Sequence, residues 1–406
     1  MRNMVSNYYD LMTFGLGGAT FQQFVDRFLE KYNSPQTDGF AWDPEIQLDY
    51  TYEQLLASLN IATLPVYVDE ASEGLDKSFG EFKIGSNKIP TQKHRYPISA
   101  KMMRERMLMV QRFGDAALNS STQEALMDML FTSTDNLLMG NRNALTHQRM
   151  RVVSTGQFTI GVDNNPRGIT GLTFDFGVPA ANKETLSGEN RWWKTSTHTT
   201  ANEGSASDPL LFLKDKAKAM RKKGFPAGHF EIASDLLDDL LTHSKVLKRI
   251  GLALYPSAAG ATNPDTVASQ YAQNMTDEGK LDAIRRIIGA SIIARDSIAA
   301  VDKFDSDSKS LKTETIENFN PLNVSFVPDG QVGTIKSVQP MVFTDDPTQR
   351  IAWFDGGRTL LTQRFESKTK SMYVESEMAV LCVPNMPQYM CVYTVSYTHL
   401  TLPTKL

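Results

Sequence analysis

Few residues of this 406-residue chain stand at spacings that do chemistry. Gly15-Leu16-Gly17-Gly18-Ala19 has the look of a dinucleotide loop, but no strand pattern precedes it and its glycines are wrongly spaced; a turn before Thr20 accounts for it better. Six histidines, His94, His147, His198, His229, His243 and His399, are scattered without ligand spacing. Cys382 and Cys391 lie in apolar strand-like sequence, where a small core residue is the ordinary role. A phosphate-binding Walker loop, a Gly-x-Ser-x-Gly elbow and a His-Glu-x-x-His pair are absent. The sequence therefore assigns no catalytic residue, no metal and no cofactor. Trp192-Trp193 after Arg191 could stack on a base, although an anchor for packing is the better reading. The candidate site is instead a charged set on one extended segment, Glu81, Lys83, Lys88, Lys93 and Arg95, expected to meet a neighbouring chain.

The elements that would carry this set can be read from periodicity. From Pro65 to Pro97, Val66-Tyr67-Val68 reads as strand, Ser72 to Gly80 as loop, and Glu81 to Ile84 as strand again. Such a hairpin holds too few apolar residues to keep itself against solvent. Before it, Thr20 caps a short amphipathic helix through Phe21, Phe24 and Phe28, and 38–52 is an aromatic, turn-rich arm with little core. After it, Ser99 caps a short helix ending near Gly114. A long helix, Thr122 to Val153, follows, with Leu126, Leu130, Leu137, Ala144 and Val152 on one apolar stripe and Asp128, Asp135, Arg142 and Arg149 on other faces. It runs into strands Gln157 to Val162 and Thr170 to Phe176 around the turn Asp163-Asn164-Asn165-Pro166-Arg167-Gly168.

Residues 208–302 alternate helix and strand, the mark of an α/β unit. Asp208 caps a helix with Pro209 at its first position and Leu210, Leu213, Ala217 and Met220 on its stripe. His229 to Ala233 is a strand, Ser234 caps the next helix, and Thr276 caps another. Tyr255 to Gln273, small and polar, reads as a surface loop. Strands at 291–294 and 297–301 close the unit. Later strands, around 323–327, 333–337, 351–354, 372–381 and 390–393, are separated by Pro- and Gly-containing turns.

Composition is that of a folded globular chain, with 41% hydrophobic and 22% charged residues, and the length calls for more than one subdomain. Net charge is −4, so nucleic acid is repelled overall, and the basic groups at 214–223 and at Lys245, Lys248 and Arg249 read as solvated helix faces. Two cysteines, no apolar leader and no apolar run of roughly 20 residues point to a reducing cytoplasm and no membrane anchor.

The order of parts is specific: projecting hairpin, long helix into Gly156-Gln157-Phe158-Thr159-Ile160, then Phe174-Asp175-Phe176-Gly177, then Asp208-Pro209-Leu210 opening an α/β unit. Ala233-Ser234-Asp235-Leu236-Leu237, 292–301 and Phe326-Val327-Pro328-Asp329-Gly330 before Gly333-Thr334-Ile335 extend it. In these features the chain resembles tailed-bacteriophage major capsid proteins of the lambda capsid protein E type. The resemblance implies an α+β, Hong Kong 97-type phage capsid fold: N-terminal arm (1–64), extended loop (65–98), peripheral domain with the spine helix (99–207), axial α/β domain (208–318) and C-terminal strands (319–394). Residues 395–406 look like a non-native tail. It further implies pentamers and hexamers in an icosahedral shell, portal, scaffolding and decoration proteins as partners, passive contact with packaged double-stranded DNA, and no crosslink between a hairpin lysine and a neighbour's asparagine. An encapsulin-type nanocompartment is the alternative of the same fold. An α/β enzyme built on 208–302 is the alternative of another class, and would need a cleft with convergent titratable groups.

Overall fold

The computed structural model describes residues 39–57, 82–98, 120–305, 310–342, 349–366 and 371–396. The expected helices after Thr20 and Ser99, the Gly15 turn, the Val66 to Val68 strand, Glu81 and everything after Ser396 lie outside them. In chain order the first elements are β1 (Phe40–Trp42), β2 (Thr51–Ala57), β3 (Phe82–Lys88), β4 (Thr91–Ile98), α1 (Ser120–Thr155), β5 (Gln157–Ile160), β6 (Leu172–Asp175) and β7 (Lys183–Thr185). Then come α2 (Pro209–Lys222), β8 (Gly228–Ala233), α3 (Ser234–Thr242), α4 (Ser244–Leu254), α5 (Pro264–Gln273), α6 (Asp277–Ile288) and β9 (Ile292–Arg295). The chain continues with β10 (Ile298–Asp305), β11 (Ser310–Glu317), β12 (Asn323–Pro328), β13 (Gly333–Val338), β14 (Gln349–Phe354), β15 (Thr359–Glu366), β16 (Ser371–Pro384) and β17 (Cys391–Thr394). This is an α+β architecture. It divides into two compact units, with boundaries inside β2, β3, α1, β13 and β16.

In the first unit a six-stranded sheet runs β1-β13-β16-β15-β14, with β4 also paired to β16. Alternation sets its faces: Val374, Ser376 and Met378 of β16 are buried while Tyr373, Glu375 and Glu377 are less so. α1 packs here through Leu137, Leu138, Asn141 and Leu145, and Asn141 Nδ2 donates to Ser376 Oγ at 2.7 Å. Gly140 permits the approach, because a Cβ there would stand 2.6 Å from the His94 ring. Two expectations are corrected. Within the 38–52 stretch, Phe40–Trp42 joins this sheet as β1 with Phe40 buried, Gln47 bridges Val338, and Asp43 accepts from Lys336, 293 residues downstream. Also, 91–98 belongs to the sheet as β4, in register from Thr91 opposite Ala379 to Ile98 opposite Met372.

The second unit holds the sheet β7-β17-β12-β8-β9. β12 runs antiparallel to both β17 and β8, whereas β7 on β17 and β9 on β8 are parallel. All six residues of β12 are buried, as a central strand covered on both faces requires. α2 forms as the sequence dictates: Asp208 Oδ1 accepts from the Leu211 N–H at 3.1 Å, and Leu210, Leu213, Ala217 and Met220 are buried. α6 starts under Thr276, whose Oγ1 accepts from the Gly279 N–H, and ends on Gly289 at φ 77°. Trp192 and Trp193 are fully buried, as a packing anchor should be.

Here too some expectations fail. Residues 255–273 are not a surface loop but a 3-10 turn (Pro256–Gly260) followed by α5, whose Ala268 and Ala272 are buried. Small residues gave no stripe to read, yet they let α5 press on Gly251 of α4, where a Cβ would stand 2.0 Å from the Ala268 carbonyl oxygen. Ser234 is the first residue of α3 and not its cap, a place held by Ala233 without a side-chain bond. Arg149, read as lying off the apolar stripe of the long helix, is nonetheless buried, paired with Glu231. Val395 and Ser396, assigned to the tail, are buried, and the Val395 N–H donates to the Leu322 carbonyl at 3.0 Å.

Candidate assembly surfaces

Three strand pairs stand outside the two large sheets: β2 with β3, β5 with β6, and β10 with β11. A two-stranded ribbon alone is at best marginally stable in water, so each needs support at its root or cover from outside.

The β5–β6 ribbon has support at its root. Its inner face is closed by Phe158 and Phe174, stacked at 6.2 Å, with the His147 ring edge-on to Phe158. Its connection is shaped by asparagines: Asn164 Oδ1 accepts from the Gly161 N–H at 2.8 Å, Asn164 Nδ2 donates to the Thr159 carbonyl at 2.8 Å, and Asn165 Nδ2 donates to the Ile169 carbonyl at 2.8 Å. The loop so fixed holds Val162 62% and Ile169 71% exposed, with Leu172 also exposed. Three bulky apolar side chains at the tip of one pinned ribbon are a surface without a partner among the described residues.

The β10–β11 ribbon is paired over eight residues, from Ile298 opposite Glu317 to Asp305 opposite Ser310. Ile298 (63%) and Phe304 (60%) are exposed on one face together with Ala300 and Asp302. On the other face Lys303 and Glu314 form an exposed ion pair at 3.4 Å. Solvent therefore reaches both faces of its outer half.

One residue roots both ribbons. His147 Nδ1 is 2.9 Å from Asn318 Oδ1, and Asn318 Nδ2 donates to Ser297 Oγ at the base of β10–β11. His147 Nε2 faces Asn164 Nδ2 in the β5–β6 loop at 3.4 Å. Since the Asn318 oxygen only accepts and the Asn164 nitrogen only donates, Nδ1 carries the proton and the ring is neutral. Burial pushes the His147 pKa down to about 4, with the bond to Asn318 opposing and the Arg151 charge assisting. Arg151 itself donates to the Glu317 carbonyl at 2.7 Å. In sequence His147 was one of six unassigned histidines; its place on the apolar side of α1 was the available signal.

Behind these ribbons lies a buried charge cluster. Glu231, wholly inaccessible, accepts at Oε1 from Arg149 (3.0 Å), Arg295 (2.5 Å) and His229 (3.4 Å), while His229 Nδ1 reaches Asp329 at 2.8 Å. Burial would raise the Glu231 pKa, but the bonds from His229 and Arg295 and the two guanidinium charges outweigh it and hold the carboxyl near about 2.

Of the sequence-predicted contact residues, Glu81 lies outside the described residues and Lys83 sits on β3. Lys88 is exposed at the end of β3. Lys93 pairs with Glu377 at 2.7 Å, and the Arg95 guanidinium lies 4.6 Å from the Tyr373 ring centre, so both also serve their own sheet.

One constellation has the connectivity of a nucleophilic triad: Ser396 Oγ is 2.8 Å from His198 Nε2, and His198 Nδ1 is 2.5 Å from Asp239 Oδ2. However, Ser396 is fully buried and the His198 ring is stacked on Trp193 at 4.5 Å, so the hydroxyl is closed to a substrate. Among the described residues no three His, Cys, Asp or Glu side chains are arranged to hold a metal, and no helix is long and apolar enough to cross a membrane.

No protein-family model and no curated protein matches the chain. Among solved structures it is similar to a phage-related protein from Bordetella bronchiseptica RB50, at 12% identity over 94% of this chain and 95% of that one, with a TM-score of 0.44. It is also similar to the capsid of the cyanophage P-SCSP1u (10% identity, 89% and 87% covered, TM-score 0.39) and to the mature capsid of bacteriophage PhiM1 (9%, 89% and 87%, 0.38). These superpositions are loose, and the geometry of the chain itself carries the reading of its function.

Proposed function

We propose that this chain is the major capsid protein of a tailed bacteriophage, a non-enzymatic subunit that assembles into pentamers and hexamers of an icosahedral shell around DNA. The observation that carries the proposal is the pair of ribbons β5–β6 and β10–β11, rooted rigidly through His147 yet presenting Val162, Ile169, Ile298 and Phe304 to solvent. A monomer gains nothing by stiffening apolar side chains outward, whereas a subunit completed by its neighbours does. The long helix leading into a hairpin, followed by an α/β unit opened by Asp208-Pro209, fits the same reading. Contacts between subunits are heterologous, one patch meeting a different patch, because that geometry closes rings. Each contact is modest and the linked set is strong. Within this proposal the virion is the location, assembly takes place in the bacterial cytoplasm, and Glu81, Lys83, Lys88, Lys93 and Arg95 remain candidates for contact between subunits. Portal, scaffolding and decoration proteins complete the partners.

Electron microscopy and sedimentation of the expressed full chain test this. Closed shells or ring-shaped capsomers are expected. The triple variant V162E/I169E/L172E, altered only at exposed positions, should keep its circular dichroism spectrum and fail to assemble. A wild-type chain that stays monomeric at high concentration overturns the shell reading; normal shells from the variant overturn the part given to the ribbon.

A further inference from the structure

Several cations in the second unit are matched by acids. Lys248 pairs with Asp265 at 2.6 Å, Lys280 with Asp277 at 3.1 Å, Arg249 with Asp208, and Lys216 with Glu184. The outer face of α2 breaks this pattern. Lys214, Lys218 and Lys222 stand at successive four-residue intervals, all exposed and without a bonding partner among the described residues. Like charges at this spacing repel by roughly 0.2–0.5 kcal/mol a pair and so weaken the helix. A favourable helix dipole accounts for cations in the last turn, but not for Lys214 and Lys218. Arg221 adds its charge to this helix where the C-terminal end of α6 lies beside α2: its guanidinium would stand 3.5 Å from a Cβ on Gly289. Asp215 is the one acid on this stretch of α2, and it acts on Arg249.

From this placement we propose that the outer face of α2 contacts the phosphate backbone of duplex DNA, an inference that deepens the shell reading by placing this face toward the enclosed genome. The three lysines span roughly 12 Å at 1.5 Å per residue. Phosphates follow one another at about 3.4 Å along the axis of each strand, so the row spans roughly three to four phosphate steps, enough for each lysine to meet its own phosphate. It makes no base contact, so it reads no sequence. The chain's net charge of −4 keeps the contact weak, which lets DNA move along it.

The test uses dilute full-length subunits and linear duplex DNA of arbitrary sequence, with affinity measured from 50 to 200 mM salt. Three phosphate contacts contribute a slope of about −2.7 in log affinity against log salt. Wild-type protein should therefore lose roughly 40-fold more affinity across that range than K214Q/K218Q/K222Q. K303Q/K312Q, which removes two cations from β10 and β11, should behave as wild type. An unchanged slope in the triple variant, or no DNA binding by the wild type, overturns the proposal. So does a triple variant that binds DNA normally but no longer assembles, since the row would then dock on another copy. Electron microscopy of the same preparations keeps the two readings apart: DNA binding with the expected slope by a chain that forms no shells sinks the shell and leaves the DNA face standing.

Discussion

Acid should loosen this protein through His147, and the size of the effect can be worked out. The ring's pKa lies at about 4 in the folded chain against an ordinary 6.5, because it is buried. The unfolded chain therefore takes up a proton between those values that the folded chain refuses, and stability falls as pH drops from about 6.5 toward 4. Integrated from pH 7 to pH 5, this one group removes about 2 kcal/mol. His147→Gln keeps a donor and an acceptor for Asn318 and Asn164 but cannot titrate. At pH 7 it should cost about 1 kcal/mol for imperfect hydrogen bonds and lost contact with Phe158. Urea unfolding followed by circular dichroism, at pH 7, 6 and 5, gives both numbers. The wild type should lose about 2 kcal/mol more than the variant across that range. Other histidines contribute equally to both proteins and cancel in the difference. Parallel pH curves for the two proteins would show that His147 does not hold the neutral, doubly bonded position described, and the rooting of the ribbons would lose its basis.

Glu231→Gln removes the charge that faces Arg149 and Arg295, leaving two buried guanidinium groups poorly compensated; it should cost about 3–5 kcal/mol at pH 7 in the same unfolding assay. Because the Glu231 pKa is depressed to about 2 from 4.5, its contribution is full above pH 4.5 and fades as pH falls toward 2, a fade the variant should lack. Gly251→Ala should destabilise by about 1–3 kcal/mol in a melting experiment, even though alanine favours helix by about 1 kcal/mol, because its Cβ meets the Ala268 backbone. Cys391, buried against Met220 and with its pKa pushed up to about 11 by burial, and Cys382, wholly buried, should both resist iodoacetamide at pH 8 until the chain is unfolded, as mass spectrometry will show. A serine-reactive fluorophosphonate should leave Ser396 unlabelled; labelling that depends on His198 would revive an enzymatic reading.

What was legible in the sequence is what local physics decides. α2 is the clearest case, since a capping aspartate, a proline at the first position and a four-residue stripe act within a dozen residues, and all of them do what their types require. The strands at 323–328 and 333–338 were legible for a similar reason, being short β-branched stretches bounded by turn residues. β11 was missed because the ribbon it forms is wet on both faces, so Ser310–Glu317 shows no apolar alternation. α5 was missed because its packing rests on small residues, and Ala268 draws close only because position 251 of another helix is glycine. The burial of Arg149 was not legible, because a cation off the apolar stripe gives no sign of being buried unless its partner is known. That partner, Glu231, lies 82 residues further on.

The same contrast explains why the candidate site was only partly readable. A charged segment such as Lys83 to Arg95 announces itself, but Lys93 and Arg95 are already engaged by Glu377 and Tyr373 on β16. The surfaces with least to occupy them are instead apolar: Val162 and Ile169 on one loop, Ile298 and Phe304 on one ribbon. Nothing in those short stretches says whether they face inward or outward, since isoleucine and phenylalanine read as core in any window. Their exposure is decided by Asn164, Asn165 and Asn318, side chains that bond backbone and histidine and so fix the ribbons at their roots. Holding an apolar tip away from its own core costs free energy in the lone subunit. That cost is offset only if the tip is buried elsewhere, and in a closed ring every copy supplies the next with such a place.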